Sequence, residues 1–322
     1  MTGLRKNRMK VISVINQKGG VGKTQTSINL AVGLSRKGKK VLLIDGDAQG
    51  NATSYFMNEV NKVDLLKLVQ MEVINEDPLV WLEKALGEGE YEKDINDVLL
   101  GECDIMEAVY VTGIDNLYIV PSTETRLINT DQLIKTTNKL QHNRLKKALR
   151  SIRKNFDYVV IDNAPTFNTI TLNTLYASDE VIIPLKIGRF ELAGFIQTMK
   201  ELENLMNDFE CFYKIYVLFN MIPRGKRPLY HAFIEKMKQL FTNNDMKVLE
   251  TTIGYQEAVA SKSGMACQLL VDTKSKFAAA FYQFTNEKPL NYRKNHKNIK
   301  IIICTVSLLK TSKSLFYQDF EA

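Results

Sequence analysis

The stretch that most constrains this chain is Lys18-Gly19-Gly20-Val21-Gly22-Lys23-Thr24. It lies between an apolar run, Val11-Ile12-Ser13-Val14-Ile15, and a helical pattern from Thr26 to Arg36. Strand, glycine-rich loop and helix N-terminus in that order make a cradle for phosphate. The glycines let successive backbone N–H groups converge on anionic oxygens where a Cβ would crowd them. The helix N-terminus adds partial positive charge at the same point. In such a loop Lys23 reaches the β- and γ-phosphates and the Thr24 hydroxyl holds Mg²⁺. The expected nucleotide-binding residues are therefore Gly19, Gly20, Val21, Gly22, Lys23, Thr24 and Gln25.

Two acidic strand ends belong with this loop. Val41-Leu42-Leu43-Ile44 reads as a buried strand and runs into Asp45-Gly46-Asp47, followed by a flexible loop, Ala48 to Thr53. Carboxylates just past a strand's carboxyl end sit where α/β sheets bind ligands. Asp47 is suited to ordering Mg²⁺ or an attacking water, while capping of the next helix is the plainer use of either Asp45 or Asp47. Asp157-Tyr158-Val159-Val160-Ile161-Asp162 is a second apolar run ending in aspartate, and Asp162 is placed to order the Mg²⁺ shell.

Between and beyond these motifs the pattern alternates strand and helix, which predicts an α/β fold: a mostly parallel twisted sheet with helices on both faces. Residues 55–93 read as a helical, acidic insertion holding the only tryptophan, Trp81. Ile95 to Val109 reads as helix, Leu117 to Pro121 as strand, and Thr130 to Lys154 as one long amphipathic helix with a wet basic side. Then come Thr169 to Ala177 (helix), Glu180 to Leu185 (strand), Glu191 to Asn207 (helix), Phe212 to Phe219 (strand) and a closing helix, Thr273 to Thr285. The core is expected to span residues 1–287. Residues 288–322 are Asn/Lys-rich, then apolar, and look like a tail outside it.

Composition narrows the function. The four cysteines are scattered without a C-x-x-C pair, and the chain has only three histidines, which argues against a zinc or iron–sulfur site and a histidine triad. Neither a secretory leader nor a membrane-length apolar run is evident, so a cytoplasmic location is expected. The net charge is +7, but from Lys288 onward seven basic residues face two acidic ones. The body is thus near neutral, and any DNA contact made by it needs a local basic patch. Arg224, Lys226 and Arg227 form the densest cluster in the body, suited to DNA phosphates or to a partner subunit, with a solvated loop as the plain alternative; Lys262 is a further candidate.

The loop departs from the general expression G-x-x-x-x-G-K-[ST], having Gln17 where glycine is required and a second lysine, Lys18, ahead of the double glycine. This variant resembles the deviant Walker A loop of the ParA/MinD family. Asp45 to Thr53 resembles that family's switch I, with Ala48 in place of proline, and Asp162 to Pro165 resembles Walker B with switch II. The resemblance runs from about Val11 to Glu287 and is strongest for ParA-type partition ATPases of chromosomes or plasmids. It implies a P-loop NTPase fold, ATP and Mg²⁺ as cofactors, and ATP hydrolysis that is slow without a partner. It also implies an ATP-dependent homodimer, non-specific DNA binding with a nucleoid-associated location, and stimulation by a ParB-like centromere-binding protein. On this resemblance Lys18 crosses to the other subunit's phosphates, Asp47 positions water, and Asn220 reads the adenine edge with Pro223 beside it. So few residues precede the first strand that an N-terminal operator-binding domain is not expected. A MinD-like membrane cycle is the alternative, though the tail lacks a clean amphipathic helix. A cluster-bridging reductase would need a cysteine pair, and a nucleotide switch of a mobile element is the third alternative.

Overall fold

The computed structural model describes residues 9–57, 91–136, 142–223, 227–241 and 246–255. The chain begins with β1 (Lys10–Val14), α1 (Lys23–Ser35), β2 (Val41–Gly46) and α2 (Asn51–Met57). After residue 90 come α3 (Ile95–Leu100), a 3₁₀ turn (Ile105–Ala108), β3 (Tyr110–Val111), β4 (Leu117–Val120) and α4 (Glu124–Thr136). Then follow α5 (Arg144–Ser151), β5 (Tyr158–Asn163), α6 (Thr169–Ala177) and β6 (Glu180–Leu185). The last elements described are α7 (Arg189–Phe209), β7 (Lys214–Phe219), α8 (Arg227–Phe241) and β8 (Met246–Val248).

The eight strands form one sheet in the order β3-β4-β2-β5-β1-β6-β7-β8, parallel except for the β3–β4 pair. A strand's period of two sends alternate residues to opposite faces. Val11, Leu42, Ile44, Val159 and Ile161 pack under Leu99, Leu127, Leu145 and Leu149 of α3, α4 and α5. Their neighbours Ile12, Val14, Leu43 and Val160 pack on the other face under Ile28, Ala31 and Val32 of α1. Beyond β1, Val181, Ile183, Val217 and Phe219 meet Phe195, Met199 and Leu202 of α7 and Ile234 and Met237 of α8. The connection after β1 runs to β2 on one side of it, whereas that after the neighbouring β6 runs to β7 on the other. This opens a crevice beyond the carboxyl end of β1, the usual ligand position in such sheets.

Two sequence expectations are corrected. Thr130 to Lys154 is not one helix: α4 ends at Thr136 and α5 begins at Arg144. His142 and Asn143, just before α5, are non-helical, and both residue types propagate a helix poorly; residues 137–141 lie outside the described residues. Ile95 to Val109 is likewise broken, because Gly101 takes a left-handed φ of 79° that ends α3 and Asp104 caps the 3₁₀ turn separately. The short β3 then adds an antiparallel edge strand that the sequence pattern did not announce. Most of the 55–93 insertion, the closing helix, Lys262, Arg224, Lys226 and the 288–322 tail lie outside the described residues, as does the side chain of Arg227.

The chain re-enters the sheet after the insertion through a polar clasp. Buried Asp94 accepts from Asn96 N at 2.8 Å and from Thr123 Oγ1 at 2.8 Å, and Arg126 bridges Asp94 and Asp97 at 3.2 and 3.0 Å. The Ile95 N–H donates to Pro121 O at 3.0 Å, so the clasp also fixes the loop beyond β4.

Ile161 is fully buried in β5 between two parallel neighbours, where collapse around a cavity is restricted. Ile161→Ala is expected to lower unfolding free energy by about 3 kcal/mol in chemical denaturation.

Candidate functional site

The glycine-rich loop joins β1 to α1 at the centre of the sheet's carboxyl end. Gly20 has φ 73°, and Gly22, at the N-cap of α1, has φ 87° and ψ 36°. Both lie in the left-handed region that side chains with a Cβ disfavour. A second constraint acts at Gly22, since a Cβ there would stand 2.4 Å from Asn220 Nδ2. That amide donates to Val21 O at 2.8 Å, while Asn220 Oδ1 accepts from Met221 N at 2.9 Å. Asn220, at the end of β7, is thus buried and braces the loop through its Nδ2, while its Oδ1 is held by the N–H of the next residue. Pro223 follows three residues later, partly buried.

Two further braces were not legible in the motif. Asn16 donates through Nδ2 to Pro184 O at 2.9 Å and accepts from Lys18 N at 2.9 Å, tying the loop to the end of β6. Thr198 Oγ1 accepts from Gln17 N at 3.0 Å while donating to Gly194 O at 2.8 Å. Gly194 carries no Cβ, and one there would lie 2.9 Å from Lys18 Cβ, so α7 packs directly on the first lysine of the loop. The contacts span about 170 to 200 residues of chain, a separation at which sequence spacing carries no signal.

The acidic groups converge from β2 and β5. These strands pair in parallel with Asp45 opposite Asp162, and both residues are fully buried. Asp162 Oδ1 accepts from Ser27 Oγ on α1 at 2.9 Å, and the neighbouring Thr24 hydroxyl also favours its charged form. Its other oxygen, Oδ2, is buried without a hydrogen-bond partner. Burial and the neighbouring Asp45 push the Asp162 carboxyl up to about 7, against the help of Thr24 and Ser27. Burial likewise raises Asp45 to about 6, although it accepts from Thr53 N, Thr53 Oγ1 and Asp47 N at 2.8, 2.8 and 3.1 Å. Lys23 is buried as well. That burial holds its ammonium below the ordinary lysine range, opposed by the charges of Asp162 and Asp47.

The two aspartates after β2 therefore divide their work. Asp45 is the anchor that folds Ala48 to Thr53 back onto the strand end. Asp47 stands on the resulting turn, its Oδ1 accepting from Gln49 N at 3.1 Å and its backbone O accepting from Ser122 Oγ at 2.9 Å. Ser122 N in turn donates to Thr53 Oγ1 at 2.9 Å, so the end of β4 holds this loop as well. Asn163 after Asp162 turns inward, donating to Val14 O at 3.1 Å and accepting from Thr174 Oγ1, which locks β5 to β1 and α6.

These groups make a site for a phosphorylated ligand with a cation. The loop supplies N–H donors, Lys23 a partly desolvated ammonium, and Thr24 and Asp162 oxygen ligands. Among the described residues no cluster of three or more His, Cys, Asp or Glu side chains forms a self-sufficient metal cage. The donor set suits Mg²⁺, which is typically held by one or two protein oxygens with the remainder from water and substrate phosphates. The orphaned Asp162 Oδ2 is the buried polar atom that such a cation would satisfy.

Folding raises the carboxyl affinity of Asp162 and Asp45 for protons above the unfolded value of 3.8. Their stabilising contribution is thus complete below about pH 4 and lost as pH rises through 6 to 7. In EDTA and without nucleotide, the wild-type melting temperature should fall across this window. Asp162→Asn should flatten the fall and melt a few degrees higher at pH 8. Gly22→Ala should displace Asn220, reducing nucleotide affinity at least about tenfold in equilibrium titration, from a left-handed strain of about 1–2 kcal/mol plus the lost brace.

Comparison with known proteins agrees with this geometry. The protein-family profile described as an AAA domain matches residues 9–211. The sporulation initiation inhibitor protein Soj of Bacillus subtilis is 30% identical over 284 residues, covering 88% of this chain and 99% of Soj. The chromosome partitioning protein ParA of Caulobacter vibrioides is 32% identical over 201 residues, 62% of this chain and 64% of that protein. Cobyrinic acid a,c-diamide synthase of Mycobacterium smegmatis, solved with an ATP analog and magnesium, superposes with a TM-score of 0.64 at 23% identity, covering 86% and 93% of the two chains. At that identity the last match speaks for the fold alone. With a phosphate loop, two carboxylate strand ends and Soj matched over nearly its full length, the chain belongs to the Soj/ParA-type partition ATPases of the AAA domain family.

Proposed function

We propose that this protein is a Mg²⁺-dependent ATPase that dimerises on ATP, binds DNA non-specifically in that state, and is returned to the free state when a ParB-like partner stimulates hydrolysis. The observation that carries the catalytic half is Asp162: a buried carboxylate with one oxygen lacking a partner, beside Thr24 and Lys23 at the mouth of a phosphate loop. The partition half rests on the likeness to Soj and ParA. A cytoplasmic, nucleoid-associated location follows from the same reading. Among the described residues no helix is long and apolar enough to cross a membrane.

In this mechanism the loop backbone and Lys23 bind and orient the phosphates, with the site's low dielectric strengthening each contact. Thr24 and Asp162 would hold Mg²⁺, which when bound offsets charge on the phosphate oxygens. Asp47, held on its turn by Asp45, Gln49 and Ser122, orients the attacking water. Asn220 keeps the Val21 carbonyl turned away from the phosphates, in addition to any contact with the base. Lys18 is given to the second subunit, where its ammonium offsets transition-state charge as an arginine finger does. Its backbone is fixed by Asn16 and α7, leaving the side chain to reach outward. Phe190 at the start of α7, 74% exposed, adds apolar surface on the same rim for self-association. Residues 1–287 are read as the ATPase domain, with residues 55–93 as an insertion in it.

The test separates the two lysines. Lys23→Ala should lower ATP affinity by about 10- to 100-fold, the value of a charge-assisted contact. Lys18→Ala should leave ATP affinity within about threefold while cutting dimerisation and reducing turnover by about 10²-fold or more. Unchanged turnover in Lys18→Ala would remove the crossing lysine from the mechanism.

A further inference from the structure

The body of this chain is near neutral overall, yet its cations are not evenly spread. At the amino-terminal edge of the sheet, opposite the phosphate loop, the turn from α1 to β2 carries Arg36, Lys37, Lys39 and Lys40. The second half of α5 and the loop after it carry Lys147, Arg150, Arg153 and Lys154, all exposed. Pairing of β2 with β5 brings the two groups together. Lys40 O accepts from Asp157 N at 2.8 Å, Lys40 N donates to Asp157 Oδ2 at 2.9 Å, and Lys40 Nζ lies 5.4 and 5.8 Å from the Tyr118 and Phe156 ring centres. The acidic side chains along this edge include Asp115, Asp157 and Asp179, and both Asp157 and Asp179 already accept from backbone N–H groups. No ion pair among the described residues engages Lys39, Lys40, Lys147, Arg150, Arg153 or Lys154. Like charges at i,i+3 and i,i+4 on α5 repel one another, so the cluster is unfavourable for the isolated fold.

We propose that this edge is a binding surface for the phosphate backbone of duplex DNA, held at the end of the molecule opposite the nucleotide. It rests on the DNA-binding part of the reading above, and assigns that binding to residues outside the Arg224–Arg227 cluster and Lys262. A polyanion accounts for the surface better than a lipid bilayer. The apolar residues of this stretch, Leu145, Leu149, Ile152 and Phe156, are all buried, leaving none to enter acyl chains. A small hollow beside the row of cations is lined by Lys146, Arg153, Ser178 and Asp179, whose carboxylate accepts from Val11 N at 3.1 Å. Because the edge is remote from Lys18 and Phe190, it stays open while the nucleotide faces of two copies meet, and a dimer presents two such edges.

The test uses the full chain with ATP and Mg²⁺ and a labelled random-sequence duplex, read by anisotropy across a salt series. The fourfold variant Lys147→Ala/Arg150→Ala/Arg153→Ala/Lys154→Ala should bind at least about tenfold more weakly near 0.1 M salt, with a log–log salt slope shallower by about 2–4. Its ATP affinity and basal turnover should match wild type, and its melting temperature should hold or rise. The double variant Lys39→Ala/Lys154→Ala should show a smaller loss in the same direction, and serves if the fourfold variant folds poorly. Wild-type DNA affinity in both variants would overturn the proposal while leaving DNA binding by this protein intact. Failure of the wild type to bind duplex in any nucleotide state would overturn both the proposal and the DNA part of the functional reading. Binding to anionic vesicles in place of duplex, lost in the fourfold variant, would overturn it in favour of a membrane surface.

Discussion

The site is organised by two carboxylates that the fold forces together. Parallel pairing of β2 and β5 sets Asp45 opposite Asp162 in the sheet's interior, where neither is hydrated. Like charges in low dielectric are costly, and the surrounding groups respond to that cost. Asp45 collects three donors from the loop after β2 and in doing so shapes the turn that carries Asp47. Asp162 receives the Ser27 hydroxyl from α1, with Thr24 close by, and keeps one oxygen unsatisfied. The first residue is neutralised by its own chain, whereas the second is left for something that arrives with the nucleotide. Removing Asp45 would therefore disorganise the turn, while removing Asp162 would relieve the like-charge crowding of the resting protein.

How much of this was written in the sequence depends on contact range. The phosphate loop was legible because its chemistry is local: glycines, lysine and threonine lie within seven residues and are flanked by strand and helix patterns. The acidic strand ends were legible for the same reason. The braces were not. Asn16, Thr198, Gly194 and Asn220 are ordinary residues whose meaning comes from the loop segment each one meets, and that pairing exists only once β6, β7 and α7 are in place. For Asn220 the resemblance pointed to the adenine edge; its brace to Val21 O was not legible at all. The basic run on α5 read as a wet face because one helix cannot disclose what stands beside it. Only the β2–β5 register brings the α1–β2 turn alongside.

The broken helices teach a related lesson. The amphipathic period continues from Thr130 to Lys154, so periodicity alone joins α4 to α5. Propensity outweighs period at His142 and Asn143, as Gly101 and Asp104 do after α3. The clasp of Asp94, Asp97 and Arg126 then uses that region to hold the loop beyond β4 on which Ser122 meets Asp47.

Helix α7 has a consequence of a mechanical kind. Its 21 residues make a rod about 30 Å long, spanning the full depth of the sheet. In its first half, up to its midpoint, Gly194 and Thr198 meet the backbone of Gln17 and the Lys18 side chain. At its far end, Phe209 packs on His142 and Tyr176 with ring centres 4.3 and 6.0 Å away, and Lys146 of α5 lies over the Tyr176 ring at 4.2 Å. One helix thus serves as a spacer: the same rigid element that seats the phosphate loop also sets where the aromatic stack lies, so the two are held at a fixed separation.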